Sequence, residues 1–195
     1  LFMARVVPIY KKGDTDKAAN YRPISLLSSF YKLYMILIRC RMQAAVEPLL
    51  CKTQYGFRPD RSTSHALYII RRIQDFAEMK GAKLSMALLD WEKAFDKIQH
   101  DKLYIALQRL GFSQHYISVI RNCYQNPQFF VRDDYGTSST KKQKSGIRQG
   151  CPLSPYLFVL VMSCIDYDIQ QKITGHVRNN RIPNLTFYMV YYADD

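Results

Sequence analysis

The chain has 195 residues, of which 48% are apolar and 13% aromatic, a composition typical of a folded protein with one large or two small domains and not of a disordered chain. Lys and Arg number 28 against 16 acidic residues, so the formal net charge is +12. This excess favours a nucleic-acid partner. An anionic membrane is the weaker alternative, because the basic residues are spread along the chain and do not lie on one amphipathic helix.

Signals of a zinc site, of secretion and of membrane insertion are missing from the sequence. The five cysteines are scattered without zinc-site spacing, which predicts reduced thiols in an intracellular protein. The longest apolar run, residues 157–165, is too short to span a bilayer. No leader is recognisable at Leu1, so we expect an internal fragment of a longer protein.

The first half of the chain predicts two strands and two helices. "ARVVPIY" is typical of a strand, and residues 30–50 predict a helix capped by Ser28 or Ser29. Four apolar side chains fall on one face of that helix: Phe30, Leu33, Tyr34 and Leu37. Residues 62–80 predict a second helix that ends at Gly81. "KLSMALLD" is short, apolar and bounded, which indicates a buried strand ending on Asp90.

The second half adds helices, a hairpin and two short strands. One helix is expected from about residue 101 to 110, and Ser113 caps another that runs to residue 123. Residues 128–144 alternate around a glycine, which predicts a hairpin with a lysine-rich second arm. Ser154 and Pro155 begin a long helix ending at Gly175, and short strands follow near 176–178 and in "TFYMVYY". The mixture predicts an α+β fold with an antiparallel sheet.

Three aspartates follow the two apolar strands. Asp90 stands at the exit of one, and Asp194 with Asp195 at the exit of the other. If the strands are neighbours, the three carboxylates converge and repel one another, and a bound cation would neutralise this repulsion. Mg²⁺ fits best, because it prefers carboxylate oxygens and leaves positions open for phosphate. Two such ions promote phosphoryl transfer, with Mn²⁺ as an alternative occupant.

Other aspartates have simpler explanations. Asp133 and Asp134 precede a glycine in the hairpin turn, where aspartate is common. Asp166 and Asp168 are expected on the solvated side of the long helix. Asp96 is expected to cap or brace the turn that follows Asp90.

Five motifs occur in the order and spacing found in reverse transcriptases: "NYRPISLLS", "QYGFRPDRST", "LLDWEKAFD", "GIRQGCPLSP" and "YADD". From about Val6 to Asp195 the chain resembles the non-LTR retrotransposon (LINE-like) type. The resemblance implies an RNA-directed DNA polymerase that uses two Mg²⁺ ions, an RNA template, a DNA primer and a dNTP.

The resemblance also implies roles for single residues. Asp90, Asp194 and Asp195 match the catalytic metal-binding aspartates, and the backbone carbonyl of Trp91 is a further metal ligand. Phe95 matches the aromatic residue under the incoming sugar, with plain core packing as the alternative.

The implied contacts to nucleotide and nucleic acid lie elsewhere in the motifs. Arg22 matches the arginine that grips the triphosphate, accompanied by Lys11 or Lys12, and Gln149 matches a nucleotide contact. For the template and primer, the implied residues are Arg58, Gly150, Pro152 and Tyr192. An ordinary surface arginine is the alternative for Arg58.

The same comparison divides the chain into the parts of a polymerase. Residues 1–82 are expected to be fingers, 83–112 palm, 113–144 a return to the fingers, and 145–195 palm, with the thumb absent. We expect these 195 residues alone to polymerise poorly. Such elements copy themselves at chromosomal targets, which implies a nuclear location for part of the cycle.

Two other function classes remain open. One is an RNA-binding or splicing-assistance module, as in intron maturases or lapsed element copies, and the intact aspartates argue against it. The other is an RNA-copying RNA polymerase or a related palm nucleotidyltransferase, which would share the carboxylates but not "NYRPISLLS" or "RQGCPLSP".

Overall fold

Four strands form a mixed sheet in the order β2–β1–β3–β4. The structure is a computed structural model that describes residues 3–133, 135–177 and 189–194, with 173–177 described by their backbone alone. Strand β1 (Met3–Tyr10) pairs antiparallel with β2 (Tyr21–Leu26) and parallel with β3 (Gln128–Val131), and β3 pairs antiparallel with β4 (Lys141–Lys142).

The sheet confirms the α+β class and corrects its details. The first strand and the lysine-bearing hairpin are present, but β2 was not predicted, because the polar loop before it and the two residues Arg22 and Pro23 obscure its pattern. The expectation of an antiparallel sheet holds for the pairs β1–β2 and β3–β4 and is wrong for β1–β3, which is parallel. The helices between β2 and β3 return the chain to the edge of β1 in the same direction, which a long crossover permits.

The described residues form six α-helices: α1 (Ser29–Val46), α2 (Thr63–Met79), α3 (Ala94–Lys97), α4 (His100–Arg109), α5 (Gln114–Tyr124) and α6 (Ser154–Val177). Two predicted caps are confirmed. The Ser28 hydroxyl accepts from the Tyr31 amide, and the Ser113 hydroxyl accepts from the Tyr116 amide. Helix α6 continues through Gly175 to Val177, so the predicted helix end and the strand beginning near 176 are wrong.

The core lies between α1, α4, α5 and α6. Its largest fully buried side chains include Tyr31 and Met35 of α1, Leu107 of α4 and Leu157 of α6. The four apolar residues predicted on one face of α1 face solvent instead, with Phe30 80% exposed. Helix α1 is apolar on most sides. The face that packs inward is the neighbouring one, which carries Tyr31, Met35 and Ile38. None of the described helices is long and apolar enough to cross a membrane.

Residues 83–91 differ most from expectation. They form neither strand nor helix, and all nine are exposed, including Leu88 at 95% and Leu89 at 73%. A buried strand was predicted here, and that prediction is wrong for this structure. An apolar run becomes a strand only beside another strand's edge, and none of the four described strands lies beside this segment.

Candidate active site

The end of the chain returns to the loop that precedes α2. Tyr191 forms a parallel bridge with Gln54, in which the Tyr191 amide donates to the Thr53 carbonyl at 2.9 Å and the Tyr55 amide donates to the Tyr191 carbonyl at 2.8 Å. This bridge is all that the described residues show of the strand predicted in "TFYMVYY", since residues 186–188 lie outside them. It places the turn at residues 192–194 against the loop at residues 53–56.

Asp90 and Asp194 line the same cleft. The backbone amide of Trp91 donates to the backbone carbonyl of Asp194 at 3.4 Å, so the two predicted motifs are in direct contact. This juxtaposition was expected from the sequence, although Asp90 is carried by an irregular segment and not by a strand. Asp195, the third predicted carboxylate, lies outside the described residues.

The cleft has a volume of about 1270 Å³ and collects side chains from every predicted motif. Its lining contains both basic and acidic groups. Those predicted as site residues are Lys11, Arg22, Asp90, Trp91, Phe95, Gln149, Gly150 and Asp194. Lys12, Pro152 and Tyr192 do not belong to this lining.

Phe95 both packs against the core and lines the cleft. Its ring stacks on Phe158 of α6 with a centroid distance of 4.9 Å, and it meets the ring of Phe57 edge-on at 6.0 Å. The two expectations for this residue, core packing and contact with a ligand in the cleft, are therefore geometrically compatible. The ring forms part of the cleft wall and is held there by its aromatic neighbours.

The "RQG" loop lies against strand β2 through two contacts with Ser25. The Ser25 amide of β2 donates to the Gln149 carbonyl at 2.7 Å, and a Cβ added to Gly150 would lie 2.6 Å from the Ser25 carbonyl oxygen. Gly150 also has φ +107°, which disfavours any side chain there. Only glycine lets this loop approach β2 so closely.

Asp96 is a half-buried residue that lines the cleft. It lies in the first turn of α3, as the expected bracing role requires. Burial raises the pKa of this carboxyl, and a side-chain hydrogen bond with Gln149 lowers the pKa by a smaller amount. Both Asp96 and Gln149 line the cleft.

Arg58 does not fit the template contact expected for it. Its guanidinium is almost fully buried and forms an ion pair with Glu47, and its Nη1 donates to the Cys51 carbonyl at 2.6 Å. A second bond from Nη1 reaches the Gln54 carbonyl at 3.3 Å. Because these bonds turn the side chain inward, Arg58 braces the loop and has no free surface to offer a template.

Asp166 and Asp168 differ in a way that their positions on α6 did not predict. Asp168 is exposed and paired with Arg109, and this pairing lowers the pKa of Asp168. Asp166 is only 5% exposed, so the expected solvation is wrong. It accepts a hydrogen bond from the Tyr191 hydroxyl at 2.7 Å, and burial together with that bond raises the pKa of Tyr191. Asp166 therefore anchors the segment that carries Asp194.

Sequence reasoning missed two residues that hold the site, Asp166 and Gln54. Gln54 is 1% exposed and bonds through its side chain to the turn before Asp194. The sequence indicated Gln54 only as the first residue of the "QYGF" motif. A polar side chain that is buried needs hydrogen-bond partners inside the protein. Asp166 gave no local signal, because its partner is 25 residues away along the chain.

The carboxylates have the chemistry that a divalent cation requires. Within residues 3–133, 135–177 and 189–194, neither Asp90 nor Asp194 takes part in an ion pair, and both residues line the open cleft. The same residues contain no group of three His, Cys, Asp or Glu side chains close enough to hold a metal ion. The donors described are two carboxylates and the Trp91 backbone, which suit Mg²⁺ as partial ligation.

Comparison with known proteins connects this arrangement to a family. The family model described as "Reverse transcriptase (RNA-dependent DNA polymerase)" matches residues 9–195. The chain is 32% identical to the RNA-directed DNA polymerase from mobile element jockey of Drosophila melanogaster over 98% of its length, covering 20% of that protein. It is 30% identical to a Transposon TX1 protein of Xenopus laevis over 95% of its length, covering 14% of that protein.

Solved structures show the same fold. Telomerase from Candida albicans, solved with a fragment of telomeric RNA, matches all of this chain with a TM-score of 0.61 at 13% identity, over 37% of its own length. Apo telomerase from Candida tropicalis matches 90% of the chain with a TM-score of 0.58, over 40% of its own length. The chain thus spans well under half of these proteins. By its family match and its retrotransposon relatives, this chain belongs to the reverse transcriptase family, on the branch related to non-LTR retrotransposons.

Proposed function

We propose that this chain carries the catalytic region of an RNA-directed DNA polymerase of a non-LTR retrotransposon, which extends a primer 3′-hydroxyl by one dNTP at a time along an RNA template. The observation that carries the proposal is the contact between the Asp90 and Asp194 segments at the edge of one large cleft. The family match and the relative from jockey support the substrate class.

Asp90, Asp194 and Asp195 would hold two Mg²⁺ ions, with the Trp91 carbonyl as a further ligand. Such ions, when bound, activate the attacking hydroxyl and stabilise the leaving oxygen of an in-line displacement at the α-phosphate. The task of the protein is to place the two carboxylate segments together. The bond from the Trp91 amide to the Asp194 carbonyl serves that task directly.

Two basic side chains near the start of the chain, Lys11 and Arg22, neutralise and orient the triphosphate. Arg22 and Lys11 line the cleft, whereas Lys12 does not, so of the two lysines Lys11 is the one we assign to the phosphates. A planar guanidinium binds phosphate oxygens through two parallel hydrogen bonds. Because phosphoryl transfer depends mainly on positioning and charge, these contacts supply much of the catalysis.

Three further residues shape the nucleotide and template sites. Phe95 forms the cleft wall where the sugar would lie and excludes a 2′-hydroxyl, and Gln149 contacts the nucleotide from its place beside Asp96. Gly150 presents bare backbone to the template base. In this assignment the sheet β1–β4 belongs to the fingers, and residues 83–112 and 145–195 belong to the palm.

A sequence-tolerant RNA-binding module is the second candidate, favoured by the net charge of +12 and by the exposed Lys141 and Lys142 on β4. Binding without synthesis would resemble a maturase-like role or a lapsed element copy. Such a module would not need two contacting segments that each bring an aspartate to one cleft.

Primer extension on an RNA template tests these assignments. The relatives are several times longer, so the assay uses both this chain and a fusion that adds the segment following the matched residues of jockey. Incorporation of dNTPs in preference to NTPs is the expected result. Preference for NTPs would indicate an RNA-copying RNA polymerase, and RNA binding without any incorporation by either protein would favour the binding module.

A further inference from the structure

The side-chain amide of Gln54 pairs with the backbone of one residue, Ala193. The Ala193 amide donates to Gln54 Oε1 at 3.0 Å, and Gln54 Nε2 donates to the Ala193 carbonyl at 3.2 Å. The same Oε1 accepts a third bond from the Gly56 amide at 2.7 Å. Gln54 therefore fixes both polar groups of the residue that directly precedes Asp194.

The conformation of Ala193 makes such a restraint necessary. Its φ is +58°, in the left-handed region that residues with a Cβ rarely adopt. A non-glycine residue stays in that region only when its surroundings determine it. Since Ala193 sets the direction in which the chain enters Asp194, holding its amide and its carbonyl also sets the position of that carboxylate.

Gly56 shows that the loop is built around the same contact. A Cβ added to Gly56 would lie 2.2 Å from the Ala193 amide nitrogen and 2.7 Å from its Cα. Both contacts are with backbone, so no side-chain rotation could relieve them. The loop must carry glycine here for its backbone to lie against Ala193.

A second layer stiffens the loop from behind. The buried Arg58 guanidinium donates to the carbonyls of Cys51 and Gln54 and pairs with Glu47 at the end of α1. The chain of contacts therefore runs from α1 through Arg58 and the loop to Ala193. Each of its members is buried or half-buried, which limits competition from water.

We propose that Gln54 is a positioning residue for the Asp194 carboxylate, acting through the backbone of Ala193. The inference rests on the proposed function, because it gives the held carboxylate a metal-binding task. Residues that orient metal ligands without touching the metal commonly change affinity or activity by about 10- to 100-fold when replaced.

The single tryptophan offers a direct reading of the site. Trp91 follows Asp90 and contacts Asp194 through its backbone, so bound Mn²⁺ should quench its fluorescence. We expect Gln54→Met to weaken Mn²⁺ binding by the 195-residue chain by about 10-fold or more.

Amide hydrogen exchange gives a second reading that needs no metal. In Gln54→Met the Ala193 amide loses its acceptor, and its exchange should quicken at least 10-fold, while the Ile120 amide in α5 stays protected. Ile120→Val is the matched control for a general loss of stability, since Ile120 is fully buried away from the loop. It should leave Mn²⁺ affinity unchanged.

The outcomes separate the two proposals. If Asp194→Asn binds Mn²⁺ as the parent chain does, the carboxylate site and the proposed function fail together, whatever Gln54 does. If Asp194→Asn abolishes binding but Gln54→Met binds Mn²⁺ normally, only the positioning role of Gln54 is overturned. Should Gln54→Met not fold, Gly56→Ala decides, because its Cβ displaces Ala193 while Gln54 is intact, and unchanged Mn²⁺ affinity there would overturn the inference.

Discussion

The two segments that bring carboxylates to the cleft are held in opposite ways. Residues 191–194 are tied to the loop at 53–56 by two backbone bonds and by the Gln54 side chain, and Tyr191 is anchored on Asp166. Residues 83–90 have no regular secondary structure and are exposed, with Leu88 and Leu89 directly before Asp90 on the surface. Among the described residues, this segment contacts the other one through the hydrogen bond from the amide of the next residue, Trp91, to the Asp194 carbonyl.

The difference shows what an apolar pattern can and cannot predict. Both segments were predicted as strands from their apolar residues, which need other parts of the protein to bury them. The segment ending at Asp194 is held because a buried amide side chain and a loop backbone supply its hydrogen bonds. In the described chain, no strand or loop backbone lies beside the segment ending at Asp90 to supply such hydrogen bonds. Its hydrophobic residues therefore remain exposed.

Loss of either carboxylate charge is the largest expected effect and tests whether the two segments act as one site. We expect Asp90→Asn and Asp194→Asn each to lower the rate of primer extension by about 10³-fold or more, because a metal ligand loses its charge. Single-nucleotide extension by the fusion protein measures this rate. Asp75→Asn on α2 is the control, and full activity in either site variant would show that the segments do not cooperate.

Truncation of leucine sharpens the contrast between the exposed segment and the core. Leu157 of α6 is fully buried, so Leu157→Ala should lower the free energy of unfolding by about 4 kcal/mol. Leu88 is 95% exposed, and Leu88→Ala should change it by less than about 0.5 kcal/mol. Urea unfolding gives both values. A cost at Leu88 similar to that at Leu157 would mean that residues 83–90 are covered in solution.

Arg58 tests the support behind the well-held segment. Arg58→Met leaves Glu47 without its buried partner, and since Glu47 is part-exposed we expect a loss of about 3 kcal/mol in the free energy of unfolding. Arg72→Met, at an exposed pair on α2, should cost at most about 1 kcal/mol. If Arg58→Met weakens RNA binding without any loss of stability, Arg58 contacts the template after all.

The smallest expected effect is the pH dependence set by Asp96, which lines the cleft that both segments reach. Its pKa is raised by burial, so the stability that its protonated form confers is present at low pH and is lost as the pH rises through that raised pKa. Asp96→Asn cannot ionise. Between about pH 3 and about pH 7, the variant should therefore gain stability relative to the parent chain in thermal unfolding. A parallel pH dependence in the two proteins would contradict the assignment.

Local chemistry in the sequence predicted the local structure well. Ser28 and Ser113 cap helices as expected, because a cap depends on neighbours within one turn. The sequence also predicted that the Asp90 and Asp194 segments converge, but as the ends of two neighbouring strands, and the segment before Asp90 is not a strand. The burial of Asp166, Gln54 and Arg58 was not, since their partners lie far along the chain or depend on the path of a loop. Strand β2 was missed because its pairing with β1, and not its own pattern, makes it a strand.

The stacking of Phe95 on Phe158 has a consequence for how sugar selectivity can change. If Phe95 excludes the 2′-hydroxyl, a smaller side chain there would admit ribonucleotides. The same change would remove the stacking contact on the Phe158 ring and the edge contact with Phe57. Selectivity and folding are thus coupled at one residue. A variant that accepts ribonucleotides should arise more readily together with a second substitution that refills the space beside Phe158 than by change at Phe95 alone.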